Sequence, residues 1–285
     1  MGFGKIMKSI RMNKGLSQSE SAKGILTVSQ LSKFENEQVS LTINRFFDLL
    51  KRYNTSPQEF FRMIDDNQSQ DNFISRYYHY YNSNNIEGLN DLLEEQRSFL
   101  SATGNIRHRH NVIQIQQKIN QMQNIPINRS EIKVLYDYLM KVEVWWGYEY
   151  TLVSSASSLM DPGFLSQIGL RLLKQMRTTL LNNDRTMLTI YNNIVFSIVM
   201  SPEYQKAATL IKYFEKNTDV ESTAYYEMNK ANFIRGLYYL KIGESQKGMK
   251  LVEDAKNIFL TLKQFDTWKR HEAYLEEVVK SIQTS

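Results

Sequence analysis

Residues 15–38 read GLSQSESAKGILTVSQLSKFENEQ, and this stretch predicts two short helices separated by a brief break. Ser17 is followed three residues later by Glu20, which is the spacing of a capping box at the start of a helix. Thr27 can cap a second helix over residues 28–36, where apolar residues recur on one face. Two short helices joined in this way are typical of a helix-turn-helix.

Flanking segments extend this pattern to a set of five short helices. One is predicted over residues 3–12, one after Thr42, and one that opens with Pro57 in the first helical position. Residues 1–65 contain 10 Lys and Arg against 6 Asp and Glu, whereas residues 66–285 contain 25 against 24. Nucleic acid is the commonest large anion that such a basic domain binds. We therefore expect double-stranded DNA to be a partner of residues 1–65.

The second helix of the helix-turn-helix carries the side chains expected to read DNA. In this motif the second helix lies in the major groove, and its first residues meet the base edges. An amide can read adenine, and an ammonium can read guanine or bind phosphate. Taken singly, each of these residues is also an ordinary cap or a solvated surface residue. The predicted contacts are Arg11, Lys14, Ser17 and Gln18 with phosphates, and Ser29, Gln30 and Lys33 with bases.

The ordered helices, with SQ at 17–18 and SQLSKFE at 29–35, closely resemble the lambda-repressor-like (Xre-type) DNA-binding domain over residues 3–63. One departure is Glu37, because the family often has glycine after the recognition helix. Asn tolerates a left-handed backbone better than most residues. We therefore expect Asn36 to adopt that conformation here.

The rest of the chain also predicts helices, since the whole sequence holds only 4 Pro and 12 Gly. Many antiparallel helices joined by short loops favour an α-solenoid. The predicted fold class is all-α, with an N-terminal lambda-repressor-like helix-turn-helix domain (1–65) followed by an α-solenoid of tetratricopeptide-like helical repeats (66–285). Helices are predicted near residues 70–83, 86–102, 106–122, 130–156, 163–181, 185–200, 203–216, 221–241, 245–262 and 265–282.

A helical repeat is indicated most clearly by residues 233–260, FIRGLYYLKIGESQKGMKLVEDAKNIFL. Gly236 on the first helix and Gly248 on the second stand where a tetratricopeptide unit needs paired helices to approach closely. Gly243 suits the turn between them. Residues 201–216 resemble the second half of a preceding unit.

The stretch YLMKVEVWWGYEYTL, residues 138–152, makes the resemblance more specific. Its Trp-x-x-Tyr-Glu pattern, the Xre-type domain and the long helical remainder together resemble the Rgg/MutR group of Gram-positive transcription regulators, over essentially the whole chain. The resemblance implies a homodimer that binds DNA near promoters. It also implies a repeat domain that binds a short secreted peptide after its re-import into the cell.

Polar and aromatic residues of the repeats could serve such a peptide. Asn supplies both a donor and an acceptor for a peptide group, and its repeated use on helix faces indicates ligand contact because it is a mediocre helix former. For any one residue, an exposed Asn or a core Trp remains the alternative. We predict that a short hydrophobic signalling peptide binds the concave face through Trp145, Tyr148, Arg177, Asn192, Asn193, Tyr226, Asn229, Asn232 and Arg235.

The last predicted helix is a candidate dimer contact. One helix-turn-helix reads only a half-site, so two-fold symmetry doubles the readout. This helix also carries more apolar surface than the final cap of a solenoid normally exposes. The predicted dimer contacts are Phe265, Trp268, Leu275, Val279 and Ile282.

Several function classes lack support in the sequence. Cysteine is absent, no run of apolar residues is long enough to span a membrane, and no phosphate loop or nucleophile elbow is present. The two histidines of RHRH, residues 107–110, diverge on a helix and do not chelate well. We expect a cytoplasmic regulator with no cofactor, no bound metal and no enzymatic activity. One alternative keeps DNA binding but makes the repeat domain a protein-interaction scaffold without a peptide ligand.

Overall fold

The computed structural model describes residues 2–64, 69–178, 184–217 and 224–283, without the side chains of residues 174–178, 184 and 217. All regular secondary structure in these ranges is helical, which confirms the predicted fold class. The chain divides into two compact units, Met1–Ser75 and Arg76–Ser285, called here the N-terminal unit and the repeat unit. The domain boundary predicted between residues 65 and 66 lies outside the described residues.

The N-terminal unit contains the short helices that the capping residues predicted. Helices α2, α3 and α5 each begin with a capping box, so two otherwise unpaired backbone N–H groups are satisfied at each start. The apolar faces of the helices meet in one core, in which Ile6, Leu31, Leu49 and Phe60 are fully buried. The bounds are α1 Phe3–Asn13, α2 Gln18–Ala22, α3 Val28–Glu35, α4 Ile43–Arg52 and α5 Pro57–Arg62.

The turn after α3 differs from the prediction. Glu37 has the left-handed backbone, with φ 61°, whereas Asn36 has φ −93°. The backbone N–H of Gln38 donates to the Lys33 carbonyl at 2.9 Å, and that of Glu37 donates to Phe34 at 2.8 Å. This pair of bonds requires a left-handed residue at the first position beyond the cap, and that position is Glu37. The helix end therefore decides which residue turns, and the expectation for Asn36 was wrong.

The repeat unit is built from two rows of helices. Helices α8, α10, α12, α14 and α16 form a central row in which each contacts the next, while α7, α11 and α15 pack beside α8, α12 and α14. This alternation is typical of an α-solenoid. The bounds are α6 Gln70–Asn82, α7 Ile86–Thr103, α8 Ile106–Met122, α9 Arg129–Lys141, α10 Gly147–Ala156, α11 Pro162–Thr178, α12 Asp184–Val199, α13 Ala208–Asn217, α14 Tyr225–Lys241, α15 Ser245–Thr261 and α16 Phe265–Gln283, with 3₁₀ turns at Ser157–Leu159 and Tyr204–Ala207.

The single helix predicted over 130–156 is in fact two, α9 and α10. Val142 has an extended backbone, so the helical hydrogen-bond ladder ends there. Arg171 of α11 donates to the carbonyl of Val142 at 2.6 Å and also to the next carbonyl, which satisfies the exposed end of α9. The break lets Trp145 turn inward, where its indole N–H donates to the Leu139 carbonyl at 3.2 Å.

Helices α14 and α15 approach closely at two glycines, as predicted. A Cβ atom at Gly248 would lie 2.8 Å from the backbone nitrogen of Leu240 and 2.9 Å from the carbonyl oxygen of Gly236. The turn between the helices uses Gly243 with φ 87°. Only glycine fits both the contact and the turn without strain.

Candidate nucleic-acid interface and ligand site

The outer face of α3 presents Ser29, Gln30 and Lys33, and all three are exposed. Gln30 belongs to the capping box: its Oε1 accepts the backbone N–H of Thr27 at 3.1 Å. Its amide nitrogen makes no hydrogen bond to any described residue. The cap therefore holds the side chain at the start of α3 and leaves its donor group available to a base edge.

A buried ion pair fixes α3 to α1. Arg11 Nε donates to Glu35 Oε1 at 2.6 Å, and Arg11 Nη2 donates to Glu35 Oε2 at 2.9 Å. Both side chains are almost fully buried, and the bond to Glu35 raises the pKa of Arg11. The phosphate contact predicted for Arg11 is thus wrong, because its guanidinium is already paired inside the protein. Glu35, which the sequence analysis did not single out, sets the position of the recognition helix.

The start of α2 is also partly occupied by the protein's own groups. Gln18 Nε2 donates to Glu35 Oε2 at 2.8 Å, so one of its two N–H donors is bonded inside the protein, and the phosphate contact of this partly buried side chain stays a prediction. The Ser17 hydroxyl donates to Glu20 Oε2 at 2.6 Å, and these bonds lower the pKa of Glu20. Lys14 is exposed and leaves a cation beside this helix start. A phosphate here would meet backbone N–H groups and Lys14.

Arg52 is a further support that the sequence analysis did not identify. Its Nη1 donates to the carbonyl oxygen of Glu20 at 2.7 Å, and so ties α4 to α2. Its position in the last turn of α4 gave no signal of this contact, because the acceptor lies elsewhere in the chain.

Three of the predicted peptide contacts are structural. Trp145 is 4% exposed and packs in the core, with the Arg171 guanidinium 4.7 Å from its ring centroid. Asn192 is fully buried and donates to the Glu227 carbonyl at 2.8 Å; Asn229 is buried and donates to the Ala255 carbonyl at 3.0 Å. These two amides tie neighbouring helices together. Trp145 therefore offers almost no surface to a ligand, whereas Oδ1 of Asn192 and of Asn229 is buried with no hydrogen-bond partner among the described residues, so their peptide contacts stay predictions.

Arg235 and Asn232 are engaged with each other and with an acid. Arg235 Nη2 donates to Glu215 Oε1 at 2.6 Å, and its Nη1 donates to Asn232 Oδ1 at 3.0 Å. The charge of Arg235 is thereby neutralised within the protein, so it is not free for the peptide carboxylate predicted to bind it. The side chain of Arg177 lies outside the described residues.

The other predicted peptide contacts differ in accessibility. Tyr148 is partly buried, and its hydroxyl lies 2.7 Å from His110 Nδ1. Burial lowers the pKa of His110 to about 4, so this histidine is neutral at pH 7. Tyr226 is 41% exposed. Asn193 is partly buried and lies between Ser154 and Lys230: its Nδ2 donates to Ser154 Oγ at 2.7 Å, and its Oδ1 accepts from Lys230 Nζ at 3.0 Å.

Burial also divides the dimer contacts predicted on α16. Trp268 is 7% exposed and packs edge-on against the ring of Phe233, so it belongs to the core and not to a free surface. Leu275 and Val279 are partly buried. Phe265 and Ile282 are exposed. The prediction for Trp268 was therefore wrong, whereas the exposed pair remains a candidate contact.

No described helix is both long and apolar enough to cross a membrane. Among the described residues, no group of three or more His, Cys, Asp or Glu side chains is arranged to hold a metal ion.

Comparison with known proteins identifies both units. Residues 63–273 match the family model of the C-terminal domain of the HTH-type transcriptional regulator Rgg, and residues 7–60 match a helix-turn-helix model. The structure resembles that of the SHP pheromone receptor Rgg2 of Streptococcus dysgalactiae, with 22% identity, a TM-score of 0.72, and 97% and 99% of the two chains covered. A Listeria monocytogenes protein is 21% identical with a TM-score of 0.77, covering 98% and 97%. A bacterial peptide pheromone/receptor complex is 18% identical with a TM-score of 0.67, covering 98% and 97%.

Proposed function

Because the chain belongs to the Rgg family of helix-turn-helix transcriptional regulators, we propose that α3 reads operator DNA and that a short peptide bound to the repeats controls this activity. Residues 1–65 form the DNA-binding domain in this proposal. Residues 66–285 bind the peptide and form the dimer. The protein acts where bacterial DNA is, in the cytoplasm, and its role requires no catalytic step.

One observation carries the DNA-reading proposal: Ser29, Gln30 and Lys33 are exposed together on α3 while the opposite end of that helix is held by the Arg11–Glu35 pair. A recognition helix needs both a free polar face and a fixed position. The bases would be read by the Gln30 amide and the Lys33 ammonium, with Ser29 beside them. Lys14 and the start of α2 would fix the register on the phosphates.

The test is selection of genomic fragments by the purified full-length protein and by Gln30→Ala. Binding is measured at about 50 and 200 mM salt, since phosphate contacts weaken steeply over that range. We expect the wild-type protein to select a few fragments with inverted repeats, and Gln30→Ala to keep non-specific affinity while losing that choice. Gln246→Ala, an exposed glutamine on α15, is the matched control. Equal selection by both variants would contradict the role of Gln30.

The peptide part of the proposal is supported by the similar structures, which include a pheromone receptor and a peptide pheromone/receptor complex. Tyr226 is exposed and remains accessible for a side-chain contact with a peptide. A ligand that binds only the folded state raises the melting temperature. We expect synthetic hydrophobic octapeptides to raise that of the full-length chain.

An alternative function for the repeats is a scaffold that binds a folded protein. That function predicts that no short peptide stabilises the chain, whatever its sequence. The exposed Tyr225 and Tyr226 at the start of α14 favour it, because aromatic residues are enriched in protein–protein interfaces. Peptide stabilisation would exclude this alternative for the site concerned.

Homodimerisation through α16 is the third part of the proposal. Phe265 and Ile282 are 60% and 41% exposed, at the two ends of the helix. Replacing both with Glu should place charges in the contact without disturbing the buried Trp268. We expect sedimentation velocity to show a dimer for the wild-type chain and a monomer for the double variant. If the double variant remains a dimer, the dimer contact does not depend on these two residues of α16.

A further inference from the structure

Val28 is an exposed valine at the first position of the helix proposed to read DNA. Helix α3 begins at Val28, directly after its cap Thr27, and the side chain of Val28 is 45% exposed. A single exposed apolar residue is common on protein surfaces and is not by itself a sign of function. Its place on α3 gives this valine further meaning, because the first residues of a recognition helix meet the base edges.

The core of the N-terminal unit does not use Val28. The other apolar residues of segment 25–34 all pack in that core, and they are Ile25, Leu26, Leu31 and Phe34. Leu26 precedes the cap and Leu31 is the fourth residue of the helix, so these two already hold the positions of a hydrophobic staple. Neither the core nor the helix start therefore accounts for an apolar side chain at position 28.

Helix stability does not account for Val28 either. A β-branched residue has a lower helix propensity than Ala, Glu or Lys. An acidic residue in the first turn would stabilise the helix through its dipole, yet the first turn of α3 contains none. A carboxylate at this end would also repel the phosphates of DNA. The first turn of α3 thus combines an apolar side chain with the absence of negative charge, which suits close approach to DNA.

Val28 borders the exposed polar face of α3. Successive residues of an α-helix are rotated by about 100°, so Val28 and Gln30 lie on either side of Ser29. The opposite face of the helix contains the buried Leu31 and Phe34. Because each Cα–Cβ bond tilts toward the helix N-terminus, the side chain of Val28 lies at the end of α3 that enters the groove.

The major groove offers one apolar substituent to such a side chain. Thymine presents a C5-methyl group there, whereas guanine, adenine and cytosine present nitrogen and oxygen donors and acceptors. A valine packed on the methyl group removes apolar surface of both partners from water. The same valine packed on an amino or carbonyl group would bury that group without a hydrogen bond, which costs free energy. A valine at this place therefore favours thymine and disfavours the other bases.

We propose that Val28 is a specificity-determining residue that reads thymine through its C5-methyl group. The inference rests on the proposed reading of DNA by α3, and it adds one element of the operator, a thymine in each half-site. The partner of Val28 is the methyl group and not the hydrogen-bonding edge of the base. Uracil, which has the same edge without the methyl group, should therefore not replace thymine at that position.

The experiment uses the purified full-length chain and a duplex that this chain has selected from a random-sequence DNA pool. Each thymine of the selected site is replaced in turn by deoxyuridine, in both half-sites together, which removes only the methyl group. Affinities are measured by fluorescence anisotropy for the wild-type chain, Val28→Ala and Val39→Ala. Val39 is the matched control, because it is a valine of the same unit that is 42% exposed but lies between α3 and α4.

We expect uracil at one position to weaken binding by the wild-type chain about fourfold per half-site, which is the factor for one buried methyl group. Val28→Ala should bind the thymine and uracil duplexes with nearly equal affinity, and Val39→Ala should keep the full difference. Val28→Ala should also bind non-specific DNA as tightly as the wild-type chain, because phosphate contacts supply that affinity. A variant that had lost its fold would lose non-specific binding as well.

Two kinds of result would overturn the inference, and they differ in what they say of the proposed function. If the wild-type chain selects a site but no uracil weakens its binding, DNA reading stands and Val28 does not read a methyl group. The same holds if Val28→Ala keeps the full difference, or if Val39→Ala loses it equally. If the wild-type chain selects no sequence, DNA reading by α3 fails and the inference fails with it.

Discussion

The pair formed by Arg11 and Glu35 should dominate the stability of the N-terminal unit. Glu35→Gln keeps the shape of the side chain but removes its charge. The Glu35 side chain is 1% exposed and accepts three hydrogen bonds, at 2.6 and 2.9 Å from Arg11 and at 2.8 Å from Gln18. Removing one partner of a buried pair costs about 3–5 kcal/mol, since the other charge stays buried and unpaired. Arg11 keeps its bond to the Leu16 carbonyl at 2.7 Å, which favours the lower figure of about 3 kcal/mol.

Hydrogen exchange in the full-length chain measures this cost directly. A loss of about 3 kcal/mol corresponds to roughly a hundredfold faster exchange of the most protected amides in α1 and α3. Amides of α12 and α14 should keep their rates, because they belong to the other unit. DNA selection should weaken in parallel, since α3 loses the bond that fixes its end.

Two further variants make this prediction refutable. Glu59→Gln removes an exposed carboxylate from the capping box of α5 and should change exchange in α1 and α3 less than about threefold. The double variant Arg11→Met/Glu35→Leu removes both charges and should recover most of the loss. An effect of Glu35→Gln no larger than that of Glu59→Gln would refute the reasoning.

Three more predictions follow from single contacts. Gly248→Ala should lower the free energy of unfolding of the repeat unit by about 2 kcal/mol in urea denaturation, because its Cβ would lie 2.8 Å from a backbone atom. The control Gly147→Ala, whose Cβ would have no neighbour within 4 Å, should cause no loss. Equal effects of the two substitutions would contradict the close approach of α14 and α15. Lys118→Met should raise that free energy by about 2 kcal/mol at pH 7. The wild-type chain should gain stability as the pH rises from about 8 to 10, since Lys118 in the folded chain has then released a proton that the unfolded chain still binds. The Lys118→Met variant should lack this gain. Identical pH profiles of the two chains would argue against a desolvated Lys118. Glu37→Gly should stabilise the N-terminal unit by about 0.5–1 kcal/mol by relieving the left-handed backbone at φ 61°. The substitution also removes the Lys5–Glu37 ion pair, which contributes little to stability because it is at the surface. The amide hydrogens of α3 should therefore exchange more slowly in the variant.

Features that depend on neighbours in the sequence could be predicted without the structure. Ser17 with Glu20 and Ser56 with Glu59 form their capping boxes within one helical turn, and each marks a helix start that the structure contains. The scarcity of Gly and Pro predicted that the chain is helical, and the glycine spacing in residues 233–260 predicted the close pairing of α14 and α15. Local hydrogen bonds and backbone preferences decide these features, and both are properties of a few adjacent residues.

Features that depend on partners distant in the sequence were decided only by the tertiary structure. Arg11 looked like a phosphate contact until its partner, 24 positions away, proved to be Glu35. The amide nitrogen of Asn192 donates to the Glu227 carbonyl of α14, 35 positions on, a bond that the sequence did not indicate. Arg171 donates to the two carbonyls that follow the end of α9, and it lies 29 positions from the first of them, Val142.

The sequence by itself thus determined the fold class, most helix limits and the exposed polar face of α3. Packing decided which polar side chains bond to other groups of the protein and which remain accessible to a ligand. The physical reason is that a side chain's availability depends on its burial and its counter-ion. Both are set by helices brought together from distant parts of the chain, as the buried Arg11–Glu35 pair illustrates.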